Sequence, residues 1–261
     1  MNRLRPVILC GGIGARLAPA STPERPKQFL DTGQAPATLY GQTLARARRL
    51  CPDAALRIVT TAALEPQARV LTPPELGPVE WLIEPLRRNT AAAIALAARR
   101  AAPDDLLWIM PCDHVIGDEG ALAAALNAAQ GRAAAGKIVL LGIPPASAHT
   151  GYGYITAAPG GCVSGFTEKP DAATAESLIA QGGLWNSGMV IAQARTLLAE
   201  FRAHAPFYVA GHDYPALPAL SFDQAVLERT DKAAVIACDI GWQDIGTPDN
   251  AGIILRRNGK I

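Results

Sequence analysis

The sequence predicts an α/β fold with a largely parallel sheet. Short apolar runs rich in Val, Ile and Leu alternate with Ala-rich stretches of helical spacing, which is typical of parallel strands joined by crossover helices. Of the 261 residues, 49% are hydrophobic and 18% are charged, so the chain can bury a sizeable core.

The first part of the chain accounts for most of the predicted parallel sheet. Strands are predicted at PVILC, LRIVTT, VEWLIE, LLWIMP and KIVLLGI. The helices predicted between these strands cover Gly41–Leu50, Asn89–Ala102 and Gly120–Ala135. Asn89 is also a favourable N-cap for the Ala-rich helix that follows it.

The pattern changes after Pro144. The stretch GYGYITAAPGGCVSGFTEKPD predicts short strands joined by turns. A helix, a strand and a second helix are then predicted over Ala172–Gln181, LWNSGMVIA and Gln193–His204. The Pro-rich stretch HAPFYVAGHDYPALPAL predicts a loop. The last predicted elements are a short helix at SFDQAVLERT with Ser221 as N-cap, a strand at AAVIACDI and a helix over Thr247–Arg256.

Charge and cysteine content exclude several classes of protein. The 24 basic and 23 acidic residues give a net charge of +1, which does not favour binding to nucleic acid or to a membrane surface. The five scattered cysteines form no C-x-x-C pair and indicate reduced thiols rather than a disulfide framework or a zinc site. No apolar run is long enough to span a bilayer or to act as a signal peptide, so we expect a cytoplasmic protein.

A glycine cluster in VILCGGIGARL follows the first predicted strand. Glycines there allow backbone N–H groups to approach a phosphate closely. A dinucleotide fingerprint is disfavoured because Leu17 stands where its third glycine belongs, and no acidic residue ends a strand about 20 residues later. A P-loop is disfavoured at Gly131–Lys137, because that stretch precedes a strand and Ile138 replaces the required hydroxyl.

Two cations follow the cluster on a loop stiffened by prolines. Arg16 lies two residues after Gly14, and Lys27 lies in RPKQFL. Together they would suit a triphosphate, but a glycine turn with two solvated surface cations is an equally good interpretation of these residues alone.

A family resemblance extends this interpretation. The segment LCGGIGARLAPASTPERPKQFL resembles the signature loop of the sugar-1-phosphate nucleotidyltransferases, and the lysine followed by QFL is similar to their mannose-1-phosphate guanylyltransferase branch. Similar segments follow in the same order along almost the whole chain: EPLRRNTAAAIALAA, MPCDHVI, TGYGYI, FTEKPD, WNSGM, SFDQAVLE and GWQDIG.

The resemblance implies a fold and a domain organisation. The fold is a Rossmann-like nucleotide-diphospho-sugar transferase fold, with a mixed, mostly parallel central sheet flanked by helices and a small sugar-binding β subdomain. Residues 1–261 would form a single catalytic domain, with the nucleotide-binding part over about 1–145 and the sugar-binding part over about 146–261. We expect no C-terminal β-helix or isomerase domain.

The resemblance also implies a reaction. GMP would pass from GTP to mannose 1-phosphate, giving GDP-mannose and pyrophosphate, by Mg²⁺-assisted in-line attack of the sugar phosphate on the α-phosphorus. The alternatives are a different sugar 1-phosphate, such as manno-heptose 1-phosphate, another nucleotide, or a non-catalytic nucleotide-sugar sensor. A homodimer is a further expectation.

Two carboxylates are assigned to the metal by the resemblance. Asp113 follows the apolar run LLWIMP, and Asp244 lies in the turn after the last strand. Ligands collect at such strand exits, and a few hard oxygen ligands suit Mg²⁺ when phosphates and water complete its coordination. The alternative is an N-cap role for Asp113 and a turn role for Asp244. His114 is interpreted as structural.

The remaining site residues also come from the resemblance. Arg16 and Lys27 would bind the triphosphate and stabilise the leaving pyrophosphate, and Lys169 would hold the sugar phosphate, so these three are the expected catalytic residues. The expected nucleotide-binding residues are Leu9, Gly11, Gly12, Gly14, Arg16, Lys27, Glu84, Asn89, Thr90 and Asp113. The expected sugar-binding residues are Gly151, Glu168, Lys169 and Asn186.

Overall fold

A mixed nine-stranded sheet forms the centre of the described part of the computed structural model, which covers residues 4–12, 14, 17, 21–33 and 35–245. Its strands are β1 (Leu4–Cys10), β2 (Leu56–Thr61), β3 (Val79–Glu84), β4 (Leu106–Pro111), β6 (Ile138–Ile143), β7 (Gly153–Ala157), β8 (Val163–Glu168), β9 (Leu184–Gln193) and β10 (Ala233–Ala237). A separate two-stranded ribbon pairs β5 (His114–Val115) with β11 (Gln243–Asp244).

The helices are α1 (Leu39–Leu50), α2 (Glu65–Val70), α3 (Asn89–Arg99), α4 (Glu119–Ala134), α5 (Ala172–Ala180) and α6 (Ala194–His204). The predicted strands and the helices predicted before residue 205 are confirmed to within three residues at each end. Helix α2 was not predicted, because its six residues are too few for a helical period to stand out. The predicted helix over Thr247–Arg256 lies outside the described residues.

The main sheet is mostly parallel, as the sequence predicts. Its order is β10-β6-β9-β4-β1-β2-β3, and β9 runs antiparallel to both β4 and β6. The carboxyl ends of β1, β2, β3, β4 and β6 therefore meet at one edge. The β7–β8 ribbon pairs with the first residues of β9 and extends that edge.

Two apolar layers cover the sheet. On one face, Ile8 and Trp108 belong to a buried cluster that includes Tyr40 and Leu44 of α1 and Leu126 of α4. On the other face, a second cluster joins strand residues to α3 and α6; it includes Val7, Ile109, Ala95, Leu197 and Phe201. The layers hold the strands rigidly, so the loops at the carboxyl edge start from fixed positions.

No helix in the described ranges is long and apolar enough to cross a membrane.

Candidate active site

The glycine cluster follows β1 at the carboxyl edge and packs onto the Lys27 segment. Gly14 has a φ of 65°, and a Cβ there would lie 2.5 Å from the Cβ of Lys27, so only glycine fits. The carbonyl of Gly12 accepts a hydrogen bond from Gln28 Nε2 at 2.8 Å. Arg16, the predicted triphosphate contact, lies outside the described residues.

Gly11 lies beside the end of β3, and a Cβ at Gly11 would lie 3.3 Å from Glu84 Oε2. Leu9, in β1, accepts a hydrogen bond from the Cys112 N–H at 3.3 Å through its backbone carbonyl. The glycine cluster therefore lies between Glu84, at the end of β3, and Cys112, the residue before Asp113.

Lys27 joins the two predicted metal ligands. Its Nζ lies 2.9 Å from Asp113 Oδ2 and 2.9 Å from Asp244 Oδ1, and its side chain is only 7% exposed. The interpretation of Lys27 as a solvated surface cation is therefore wrong. Two carboxylates that lie far apart in the sequence converge on one buried cation.

The local structure explains this convergence. Asp113 follows β4, and Asp244 belongs to β11, where it pairs with His114 in antiparallel register. The alternative of an N-cap role for Asp113 is wrong, because Asp118 caps α4 and its Oδ1 accepts from the Ala121 N–H at 2.8 Å.

Opposite charges shift the pKa values of Lys27 and Asp113 in favour of their charged forms. Burial alone would lower the pKa of Lys27, but Asp113 and Asp244 outweigh it and raise that pKa. Burial alone would raise the pKa of Asp113, but Lys27 and His114 outweigh it and hold that pKa below its usual value. The Asp113 carboxylate is therefore ionised at neutral pH.

This donor set fits Mg²⁺. Asp113 and Asp244 direct oxygens at one cation, and Mg²⁺ is bound through one or two carboxylates together with substrate phosphates and water. Within the described ranges, no group of three or more His, Cys, Asp or Glu side chains could hold a metal.

His114 supports the cluster from one side. Its Nδ1 accepts a hydrogen bond from Trp242 Nε1 at 3.1 Å, and its Nε2 lies 3.7 Å from Asp113 Oδ1. Burial lowers the pKa of His114 even though the nearby carboxylates oppose that shift. The neutral imidazole fixes the orientation of Trp242, which agrees with a structural role.

Aromatic rings connect this cluster to the predicted sugar segment. Tyr152 stacks on His149 with ring centroids 3.8 Å apart. Its ring also meets the edges of Trp185 and Trp242, each at 5.1 Å. Because Trp242 precedes Asp244 by two residues, this packing fixes β11 relative to the loop that carries Gly151.

Of the predicted nucleotide-binding residues Glu84, Asn89 and Thr90, Glu84 is the most buried. It ends β3 with 3% exposure, and its Oε1 accepts a hydrogen bond from the Tyr214 hydroxyl. Burial raises the pKa of Glu84, while the Tyr214 bond and Arg87 oppose that shift. Tyr214 lies in the predicted Pro-rich loop, where it begins a short 3-10 helix, and Arg88 holds this loop by donating to the Pro215 carbonyl.

The predicted N-cap role of Asn89 is wrong. Arg88 is the N-cap of α3, and Asn89 has a φ of 62° while its Oδ1 accepts from the adjacent Thr90 N–H at 2.8 Å. Asparagine tolerates this left-handed conformation better than most residues. Thr90 accepts a hydrogen bond from the Phe222 N–H through Oγ1 at 2.8 Å, so its hydroxyl fixes a distant segment.

The predicted sugar-binding residues gather around β8 and the start of β9. Lys169 has a φ of 46°, and its ammonium pairs with the carboxylate of Glu168 while 55% of its side chain stays exposed. The Gly151 N–H donates to His149 Nδ1 at 3.0 Å. Asn186 accepts from the Gly188 N–H through Oδ1 at 3.1 Å.

Asp223 lies beside these predicted sugar-binding residues, although the sequence analysis did not identify it as a site residue. Its Oδ1 accepts a hydrogen bond from Asn186 Nδ2 at 2.9 Å. Burial, together with the charge of Glu168, raises the pKa of Asp223 to about 6. Its place in the similar segment SFDQAVLE is the signal that could have identified it.

The raised pKa of Asp223 predicts a pH-dependent stability. Because its ordinary pKa is 3.8 and its folded pKa is about 6, the ionised carboxylate destabilises the native state increasingly as pH rises from about 4 to 6. A difference of about two pKa units corresponds to at most about 3 kcal/mol. We expect Asp223→Asn to have a higher melting temperature than the wild type at pH 7.5 and an equal one near pH 4. If calorimetry showed the same difference in melting temperature between variant and wild type at both pH values, this assignment would be contradicted.

Comparisons with known proteins complete this description. Residues 5–251 match the nucleotidyl transferase family. The chain is 38% identical to the xanthan biosynthesis protein XanB of Xanthomonas campestris pv. campestris, over 100% of this chain and 61% of XanB. It is 34% identical to the mannose-1-phosphate guanylyltransferase of Escherichia coli, over 94% of this chain and 58% of that protein. The chain thus spans 61% or less of the length of these two curated relatives.

The fold is also similar to a solved structure. A crystal structure described as mannose-1-phosphate geranyltransferase from Thermus thermophilus superposes with a TM-score of 0.86 at 32% identity. The match covers 98% of this chain and 79% of that one. It confirms the predicted fold of a mixed, mostly parallel sheet flanked by helices.

Proposed function

We propose that this chain, which belongs to the nucleotidyl transferase family, transfers GMP from GTP to mannose 1-phosphate and so forms GDP-mannose and pyrophosphate. The observation that carries the proposal is the convergence of Asp113 and Asp244 on one buried cation beside the glycine cluster. The name of the Escherichia coli relative supports the choice of mannose 1-phosphate and of a guanylyl group.

The chain's residues would act by positioning and by neutralising charge. Asp113 and Asp244 would hold Mg²⁺, which when bound would neutralise charge on the triphosphate. The glycine cluster would receive the triphosphate through backbone N–H groups, with Arg16 and Lys27 as its cations. Lys169 would exchange its pairing with Glu168 for the sugar phosphate, placing the attacking oxygen near the α-phosphorus.

Glu84 supports guanine as the base. A carboxylate only accepts hydrogen bonds, and the edge of guanine carries two adjacent donors, N1–H and the N2 amino group. The Tyr214 hydroxyl fixes one oxygen of Glu84, and the other oxygen faces Gly11 of the phosphate loop. A base bound at Glu84 would therefore lie next to the predicted triphosphate site.

Removing the charge of Glu84 should relax this preference. We expect Glu84→Gln to lower kcat/KM for GTP about 10- to 100-fold, because one good bidentate pair contributes about 1–3 kcal/mol of discrimination. Activity with UTP should change much less. Glu80→Gln is the matched control, since Glu80 lies at the other end of β3 and pairs with Arg57. An unchanged ratio of GTP to UTP activity in Glu84→Gln would remove Glu84 from base recognition.

The proposal includes a single catalytic domain. The nucleotide-binding part would cover about 1–145 and the sugar-binding part about 146–261. Strands β9 and β10 of the second part pair with β4 and β6 of the first, so both parts share one sheet. A cytoplasmic location and a homodimer are further parts of the proposal.

A substrate screen tests the function. Purified protein with Mg²⁺, each nucleoside triphosphate and a panel of sugar 1-phosphates should release pyrophosphate fastest with GTP and mannose 1-phosphate. Faster release with manno-heptose 1-phosphate would contradict the sugar assignment. Absence of release with every pair would contradict an enzymatic function and favour a nucleotide-sugar sensor.

A further inference from the structure

We propose that Tyr214 is a positioning residue for base recognition: its hydroxyl holds the Glu84 carboxylate in the orientation that accepts two hydrogen bonds from guanine. This inference rests on the proposed function and deepens it, because it assigns a determinant of nucleotide preference. Tyr214 lies in none of the segments that resemble the family, and its hydroxyl donates to Glu84 Oε1.

The Glu84 carboxylate needs a partner that sets its plane. The last torsion of a glutamate side chain has only a broad preference, so the end of β3 does not by itself fix the two oxygens. Tyr214 holds Oε1, and Oε2 lies beside Gly11. Because a carboxylate has about four acceptor positions, the Tyr214 bond leaves enough of them for the N1–H and N2 donors of guanine.

The Pro-rich loop holds Tyr214 in place from both sides. The Tyr208 hydroxyl donates to the Pro218 carbonyl at 2.7 Å, and Arg88 Nε donates to the Pro215 carbonyl at 3.1 Å. The two prolines also restrict the backbone of the loop. The hydroxyl of Tyr214 is therefore directed at the carboxylate by the fold, and a base that binds there need not order it.

The same contact favours the accepting form of the carboxylate. Burial raises the pKa of Glu84, and the Tyr214 bond is the larger of the two contacts that oppose this shift, ahead of Arg87. A protonated carboxyl group donates through one of its oxygens, so it cannot accept from two adjacent donors with both. It would instead pair with a base edge that carries a donor beside an acceptor, as uracil does. Loss of the Tyr214 bond should therefore reduce the preference for GTP over UTP.

Calorimetric titrations of the protein with GTP and with UTP, in the presence of Mg²⁺, test this inference without relying on turnover. Tyr214→Phe removes only the hydroxyl, and we expect it to raise the Kd of GTP about tenfold while changing the Kd of UTP less than twofold. In assays with mannose 1-phosphate, the variant should raise the KM for GTP about tenfold and leave kcat within about twofold, because the lost contact concerns the base and not the reacting phosphates.

Two further variants separate positioning from a structural role. Tyr214→Phe added to Glu84→Gln should not change the ratio of GTP to UTP affinity any further, because Tyr214 acts through Glu84. Tyr208→Phe is the matched control, since it removes the hydroxyl that ties the same loop to Pro218. It should lower the melting temperature and leave both Kd values within about twofold of the wild type.

Three results would overturn the inference: equal weakening of GTP binding by Tyr208→Phe and Tyr214→Phe, equal loss of GTP and UTP affinity in Tyr214→Phe, or a full additional loss in the Glu84→Gln background. Each of them leaves the proposed function intact if the wild type forms GDP-mannose. A wild type that prefers GTP in the titrations but releases no pyrophosphate would overturn the proposed function, and the titrations of the variants would still decide the role of Tyr214.

Discussion

Replacing Asp244 by asparagine is expected to lower kcat for pyrophosphate release about 100- to 1,000-fold while leaving the fold intact. The substitution removes a charged ligand at the point where charge must be neutralised in the transition state, and the loss of one such group typically has this effect. The fold should persist because asparagine keeps an oxygen that can accept the hydrogen bond from Lys27 Nζ. Steady-state kinetics at saturating GTP measure the loss of kcat, and a circular dichroism spectrum shows whether the fold is intact.

The same segment provides a matched control for this substitution. Asp239 lies shortly before Asp244 in the sequence, is exposed, and accepts a hydrogen bond from the Gly241 N–H at 3.2 Å. Asp239→Asn should leave kcat unchanged, whereas Asp113→Asn should reproduce the loss seen for Asp244→Asn. Turnover close to that of the wild type in either active-site variant would remove that carboxylate from the metal site.

Replacing Lys27 by methionine is expected to destabilise the protein strongly and to abolish most of its activity. Methionine preserves the unbranched chain but leaves Asp113 and Asp244 facing each other without their shared cation. Removing one partner of a buried ion pair typically costs about 3–5 kcal/mol. Chemical denaturation without divalent ions should show this loss, and kcat should fall at least about 100-fold because a cation of the triphosphate site is missing.

Mg²⁺ should partly reverse the destabilisation of Lys27→Met. A divalent cation bound by the two carboxylates replaces the missing positive charge, so millimolar Mg²⁺ should raise the melting temperature of the variant more than that of the wild type. Lys137→Met, at the amino end of β6, should show neither the loss nor the Mg²⁺ effect. Equal Mg²⁺ responses in Lys27→Met and wild type would argue against a metal site at these carboxylates.

The sequence predicts the strands and loops that carry this site better than it predicts the contacts between their side chains. Strand positions follow from apolar runs, and strand exits identify Asp113 and the glycine cluster, because parallel strands end at a common edge. The burial of Lys27 could not be predicted, since the PKQF segment has the composition of an exposed loop. Its contacts are with Gly14, Asp113 and Asp244, which lie elsewhere in the sequence.

Long-range contacts explain the other misses. Asn89 is a residue type that often caps helices. In the structure, the Phe222 N–H donates a hydrogen bond to Thr90 Oγ1 at the start of α3, and Arg88 is the N-cap. The roles of Tyr214 and Asp223 depend on partners 130 and 37 residues away, which local periodicity does not encode.

Crystals grown with GTP and Mn²⁺ would test the central claim most directly, because Mn²⁺ can replace Mg²⁺ and be located by its anomalous scattering. We expect a manganese peak ligated by the carboxylates of Asp113 and Asp244, with the triphosphate on the glycine cluster after β1. A nucleotide bound at another edge of the sheet, or a metal that contacts neither aspartate, would contradict the claim.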